Sequence, residues 1–193
     1  MVSIAAFLSY SFVTIFTPGP NNLIAMSTAN MYGFKKALRL IAGIAAGFFV
    51  IMLLSSFLSL FLFNLVPRVK LFMEIAGTAY MLYLAVKIIQ SKPLTKEEAV
   101  NDKSFILGFM LQFLNAKGIT FCITVTSIFI IPYYKSIASL IFFSASLSFV
   151  AFLATLCWAL FGVFFKTFLQ KYRLQFNIVM ALLLLYSAIS VFV

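Results

Sequence analysis

Thr17-Pro18-Gly19-Pro20-Asn21-Asn22 interrupts an apolar run that would otherwise read as one membrane-spanning helix. Proline has no backbone N–H to donate, and glycine tolerates turns that a side chain forbids, so the helix is predicted to break here. Inside hydrocarbon, broken backbone survives only where it is buried in protein or lines a watery cavity. A break at membrane depth therefore points to a substrate site rather than to a lipid anchor. Pro20 is placed to open a new half-helix, whose free N–H groups carry partial positive charge and can receive a carboxylate. The Asn21 and Asn22 side chains both donate and accept, which suits a zwitterionic amino acid. The alternative is a kink whose polar groups are satisfied by neighbouring helices.

Of the 193 residues, 64% are hydrophobic and only 9% charged, and the mean hydropathy is +1.14. Water-soluble domains carry about 25% charge, so the chain is read as an all-α integral membrane protein, one transmembrane domain over 1–193. Fourteen Lys and Arg against four acids give a net charge of +10. In a soluble protein that balance would suggest nucleic acid. Here the basic residues gather in short connections between apolar spans, so the lipid bilayer is the expected partner and nucleic acid is not. Histidine is absent, and Cys122 and Cys157 fall within predicted spans with no Cys-x-x-Cys. The ordinary zinc, haem-histidine and Ser-His-Asp constellations are thereby excluded, and no cofactor is expected. No Gly-x-x-x-x-Gly-Lys sequence is present to hold ATP. The apolar stretch Ile4 to Phe16 has the length of a signal-peptide core, but no basic residue precedes it and no small-residue cleavage site follows. It is read as retained.

Crossing the hydrocarbon takes about 20 apolar residues. The pattern yields six spans at 4–31 (broken), 40–64, 71–90, 105–131, 137–163 and 174–193, with tight connections at 64–70 and 131–136. The stretch 91–104 is a polar loop separating a first half, about 1–90, from a second, about 105–193. Lys35, Lys36, Arg39, Lys87, Lys92, Lys96, Lys103, Lys166, Lys171 and Arg173 fall on one face, against Arg68, Lys70 and Lys135 on the other. That bias puts the first set in the cytoplasm and both termini outside. Tyr133, Tyr134, Trp158 and Tyr172 lie near predicted span ends, where amphipathic rings favour the interface. Three spans per half would invert a duplicated half, and each half opens with a polar interruption. Two inverted repeats with interrupted helices near the midplane are a recurring transporter layout.

Few polar residues enter the membrane. Lys117 lies about a dozen residues into the fourth span, where a lysine costs on the order of 3 kcal/mol on insertion scales. It is expected to face the bundle interior, holding a substrate carboxylate or bracing the broken helix; the alternative is snorkelling to the surface. Gln112 and Asn115, a turn or less away, are candidates to hydrogen-bond a ligand or to join helices. Glu74, about one turn inside the outer face, could carry a coupling proton or pair with Arg68 or Lys70. Gly43 and Gly47 form a Gly-x-x-x-Gly match, and Ser144, Ser148, Ala151 and Thr155 line the fifth span, both signs of close helix packing. Whether that packing lies within a subunit or builds a homo-oligomer is open.

The Thr17–Asn22 motif, Gly33-Phe34-Lys35-Lys36, Gly43 with Gly47, and Ala76-Gly77-Thr78-Ala79-Tyr80-Met81-Leu82-Tyr83-Leu84-Ala85 make the chain resemble the LysE/RhtB superfamily of bacterial amino-acid exporters. Leu111-Gln112-Phe113-Leu114-Asn115-Ala116-Lys117, Cys157-Trp158-Ala159-Leu160 and the stretch 175–186 are most similar to its cysteine/O-acetylserine exporter branch. The resemblance implies secondary export of small amino acids across the inner membrane, with ion coupling, and no enzymatic activity. The break and the polar residues inside the membrane make Thr17, Pro18, Gly19, Pro20, Asn21, Asn22, Gln112, Asn115 and Lys117 the candidate substrate-binding residues. Many members carry Asn-Pro-Lys where this chain has Asn115-Ala116-Lys117, so the fourth span is expected to be less distorted here. Alternatives are export of homoserine, threonine or leucine, or a thiol–disulfide electron carrier using the two cysteines.

Overall fold

A computed structural model describes residues 4–61 and 104–189 and, between them, Ile75, Ala79, Leu82, Tyr83, Ala85 and Val86. All regular structure among the described residues is helical. Helix α1 spans Ile4–Phe16, α2 Pro20–Tyr32, α3 Phe34–Phe61, α4 Ser104–Phe113, α5 Ala116–Val125, α6 Ile137–Phe164, α7 Lys166–Lys171 and α8 Arg173–Ile189. A π-helical turn, Thr126–Ile130, continues α5, closed by the Ile131 N–H donating to Thr126 O at 2.9 Å.

Among the described residues, two helices are long and apolar enough to cross a membrane, Phe34–Leu60 and Ile137–Phe164. Ser104–Phe113 and Ala116–Ile130 make a third if taken as one span, bent by 61°. The expected six spans are not all within view. Most of the third predicted span, the 64–70 connection and most of the 91–104 loop lie outside the described residues, as does Glu74.

The first span breaks where proline chemistry requires. The Thr17 N–H still reaches Val13 O at 3.0 Å, but Pro18 has no N–H to continue the ladder. Gly19 is extended, and Pro20 opens α2 at its first position. At 13 residues each, α1 and α2 are individually about 20 Å long, too short to span hydrocarbon alone. Gly33 ends α2 at φ +88, a left-handed conformation that glycine adopts without penalty, and its N–H closes on Ala29 O at 3.1 Å. The chain re-enters a helix at once. Lys35, Lys36 and Arg39, expected in a loop, therefore occupy the first turns of α3, and the 40–64 span begins six residues early.

Two helix pairs form the frame. A Cβ added at Gly43 would lie 2.0 Å from Phe105 O, and one at Gly108 would lie 2.2 Å from Leu40 O. Backbone rests on backbone between α3 and α4, which only glycine permits. A Cβ at Gly162 would likewise lie 2.3 Å from Met26 O, joining α6 to α2. The Gly-x-x-x-Gly face is thus used within one chain. Leu140, Ser144, Leu147, Ser148, Ala151, Thr155 and Ala159 make the buried stripe of α6 at helical spacing. Helix α1 packs on α5 and α6, closing a core with Ile15, Phe48, Met52, Phe121 and Leu147.

Candidate functional site

The fourth span also breaks, bending by 61°, against the expectation drawn from Ala116. Asn115 leaves the helical path at φ −86, ψ 86, and its side chain accepts from the Gly118 N–H at 3.2 Å. An asparagine N-cap offers the backbone a local partner in place of the helix ladder, so no proline is needed. Asn115→Ala should cost about 1 kcal/mol, read as a fall of roughly 2–4 °C in the melting temperature of the purified protein.

Lys117 spans from this second break to the first. Its ammonium donates to Thr17 Oγ1 at 2.7 Å, Pro18 O at 3.0 Å and Thr17 O at 3.1 Å. An ammonium has three N–H groups; each has an acceptor. The acceptors sit at the C-terminal end of α1, where unsatisfied carbonyls carry partial negative charge. Gly19 leaves room for the lysine stem, since a Cβ there would approach Lys117 Cδ to 3.2 Å. Lys117 braces the break and does not snorkel. The four acids of the chain lie outside the described residues, so no described carboxylate faces this amine.

Asn22 is also committed to the break. Its amide donates to Ile15 O and Thr17 O, both at 3.1 Å, and its carbonyl accepts from Thr155 Oγ1 at 3.1 Å. Trp158 Nε1 donates to Phe16 O at 3.1 Å. Trp158, expected at the membrane interface, instead fastens α1 to α6. Thr155 and Trp158 were not among the residues singled out for the site; hydroxyl and indole groups in an apolar helix were the only sequence signal for them.

Asn21 and Gln112 are different. The Asn21 amide donates to Gln112 Oε1, which also accepts from Asn115 Nδ2 at 3.4 Å. Asn21 Oδ1 and Gln112 Nε2 then have no partner, although Asn21 is 5% exposed and Gln112 fully buried. Turning both amides over exchanges the roles and still leaves one donor and one acceptor unused. Gly118 makes space for Gln112, because a Cβ there would lie 2.6 Å from Nε2. Buried polar groups are normally paired, so this couple is poised for a ligand or water.

A cavity of about 50 Å³, counted as space for water centres, opens onto these groups. One water needs about 10–15 Å³ on that measure, so a few fit. Asn21, Asn22, Gln112, Asn115 and Lys117 line it, together with Thr14, Phe48, Phe121 and Thr155. At its edge, α2 presents an uncapped N-terminus: Gly19 supplies no capping side chain and Pro20 no N–H. The first N–H groups of a helix have no intrahelical partner, so this terminus carries partial positive charge. No His, Cys, Asp or Glu cluster able to hold a metal occurs among the described residues. Cys122 is buried and Cys157 exposed, both as free thiols.

Two broken spans meeting around a polar cavity define a membrane translocator. The chain matches the LysE type translocator family over residues 12–193 and belongs to it. It is 38% identical over 191 residues to the cysteine/O-acetylserine efflux protein of Escherichia coli O1:K1, covering 98% of this chain and 97% of that one. It is 37% identical over 193 residues to the protein of the same name from Shigella flexneri, covering 99% and 98%. No solved structure matches the chain. The protein is a multi-pass membrane transporter and not an enzyme.

Proposed function

We propose that the chain exports small neutral amino acids or their derivatives, cysteine and O-acetylserine among them, across the bacterial inner membrane. The observation that carries this reading is the unpaired donor and acceptor of Asn21 and Gln112, held beside the free N-terminus of α2 at the meeting point of two breaks. The substrate carboxylate lies against the Asn21 and Asn22 N–H groups, and the amide pair takes a polar group of the same molecule. Lys117 and Asn22 hold the frame and make no contact that a substrate must replace. The names of the curated relatives support the substrate class. A cavity of a few water volumes suits a short side chain.

The architecture we infer is six spans in two inverted halves, with both termini periplasmic. The pair of broken spans supports the repeat, and the excess of Lys and Arg on the opposite face supports the orientation. An ion gradient supplies the drive, because the sequence holds no nucleotide-binding motif.

Gln112→Leu keeps the side chain's bulk and removes its polarity. Cells overexpressing it should release labelled O-acetylserine or cysteine about 10-fold to 100-fold more slowly than cells with the parent, the size expected when a buried polar contact to ligand is lost. Asn21→Leu should behave alike. Equal efflux at equal membrane abundance would remove the amide pair from the site.

A further inference from the structure

The cavity is flanked by helix contacts of two different kinds. Toward the end of α2 and the start of α3, helix backbones rest directly on one another at Gly43, Gly108 and Gly162. Toward the end where α1 begins, the contacts are between aromatic rings. Phe121, on the cavity wall, stacks on Tyr10 of α1 with centroids 5.7 Å apart and planes at 21°. Tyr10 also stacks on Phe129 of the π turn at 5.7 Å and 16°. Phe7, one turn further along α1, packs on Phe129 at 5.9 Å and on Phe143 of α6 at 6.1 Å. Phe143 in turn meets Tyr134, 48% exposed, at 5.1 Å. Rings therefore run without interruption from the cavity wall to the surface.

Helix α1 is fastened at one end. Hydrogen bonds from Asn22, Trp158 and Lys117 hold its last residues, Ile15, Phe16 and Thr17. Further toward Ile4 it meets α5, the π turn and α6 through these rings, and Ile4, Leu8, Phe12 and Val13 point outward. A π turn is a local irregularity frequent at functional sites. The hydroxyls of Ser11 in α1, Thr120 in α5, Thr126 in the π turn and Ser144 in α6 are buried without a partner. Such groups find partners when water reaches them.

We propose that this ring stack is the gate on the side of the membrane where the chain begins, with Tyr10 at its centre. Helix α1 is the arm that opens it, turning about the break at Thr17–Gly19 while the glycine-packed pairs α3–α4 and α2–α6 stay fixed. Stacked rings separate by side-chain rotation and a small swing, whereas backbone contacts part only when whole helices move. The gate rests on the transport reading above and adds the route by which the cavity empties.

The test uses a Cys122→Ser, Cys157→Ser protein carrying Thr14→Cys on the cavity wall. Intact cells are treated with a membrane-impermeant methanethiosulfonate reagent, and the rate of modification is measured without added substrate. Tyr10→Ala should accelerate modification about 10-fold, as expected when both ring pairs of the tyrosine are lost, and Tyr10→Phe should leave it near the parent rate. Phe129→Ala should act in the same direction, independently of how Tyr10→Ala folds. The gate is refuted if both alanine variants, present at normal membrane abundance, react no faster than the parent. It is equally refuted if acceleration occurs only with reagent presented from the cytoplasmic side. Because no export is measured, equal efflux from the Gln112 and Asn21 variants would sink the substrate reading and leave this result standing.

Discussion

Cells carrying Lys117→Met should lose export by at least about 100-fold, more than for any other single side chain of the site. The methionine fills the space of the lysine stem but removes three hydrogen bonds from a charged donor, to Thr17 O, Thr17 Oγ1 and Pro18 O. A hydrogen bond to a charged group contributes about 1.5–3 kcal/mol. Part of that cost is offset, because an ammonium at membrane depth is itself unfavourable by roughly 3 kcal/mol. The remaining few kcal/mol fall on the geometry of the break, and each 1.4 kcal/mol is about tenfold in population of the working arrangement. Lys117→Arg should not restore activity, since a planar guanidinium cannot direct three donors at one turn's worth of acceptors as an ammonium does. A bracing residue acts on the maximal rate and on thermal stability, whereas a carboxylate ligand would act mainly on the substrate concentration needed. Measuring both in vesicles distinguishes the roles. Export by Lys117→Met within twofold of the parent would show that the three bonds do not hold the break.

Gly43→Ala should be the most damaging substitution to the fold. The added carbon would stand 2.0 Å from Phe105 O, and neighbouring positions are no looser, with Phe105 C at 2.9 Å and Phe109 N at 3.0 Å. All are backbone atoms, so no rotamer relieves the clash, and α3 and α4 must separate along their whole contact. Overpacking typically costs about 1–3 kcal/mol, and the absence of any flexible neighbour puts this case at the upper end or above. The melting temperature of the purified protein should fall by roughly 6–12 °C, taking about 2–4 °C per kcal/mol for a chain of this size. The matching Gly108→Ala, whose carbon would lie 2.2 Å from Leu40 O, should do the same. An unchanged melting temperature in both would mean that the helices are not in backbone contact.

Much of this was legible in the chain. The break at Thr17–Gly19, the restart at Pro20 and the close packing at Gly43 follow from proline lacking an N–H and glycine lacking a Cβ, properties that act through covalent neighbours alone. Burial of Lys117 followed from the cost of an amine in hydrocarbon. The bend at Asn115 did not follow, because an N-cap bond can substitute for proline and whether it forms depends on where Gly118 is held. Nor did the bond from Trp158 Nε1 to Phe16 O, or those from the Asn22 amide to Ile15 O and Thr17 O.

Sequence by itself determined an all-helical membrane chain, the place where its first span gives way, and the polar residues that must turn inward. Only tertiary structure decided what each of those residues does. Lys117 and Thr17 are 100 positions apart, as are their tasks in any linear reading. The packing of α2 against α6 and of α3 against α4 brings the two breaks within reach of one side chain. Once there, the side chains of Lys117 and Asn22 find partners for their donors, while Asn21 Oδ1 and Gln112 Nε2 have none. Local backbone chemistry can say where a helix must stop; which partners satisfy the freed groups depends on atoms that meet only after the helices have packed.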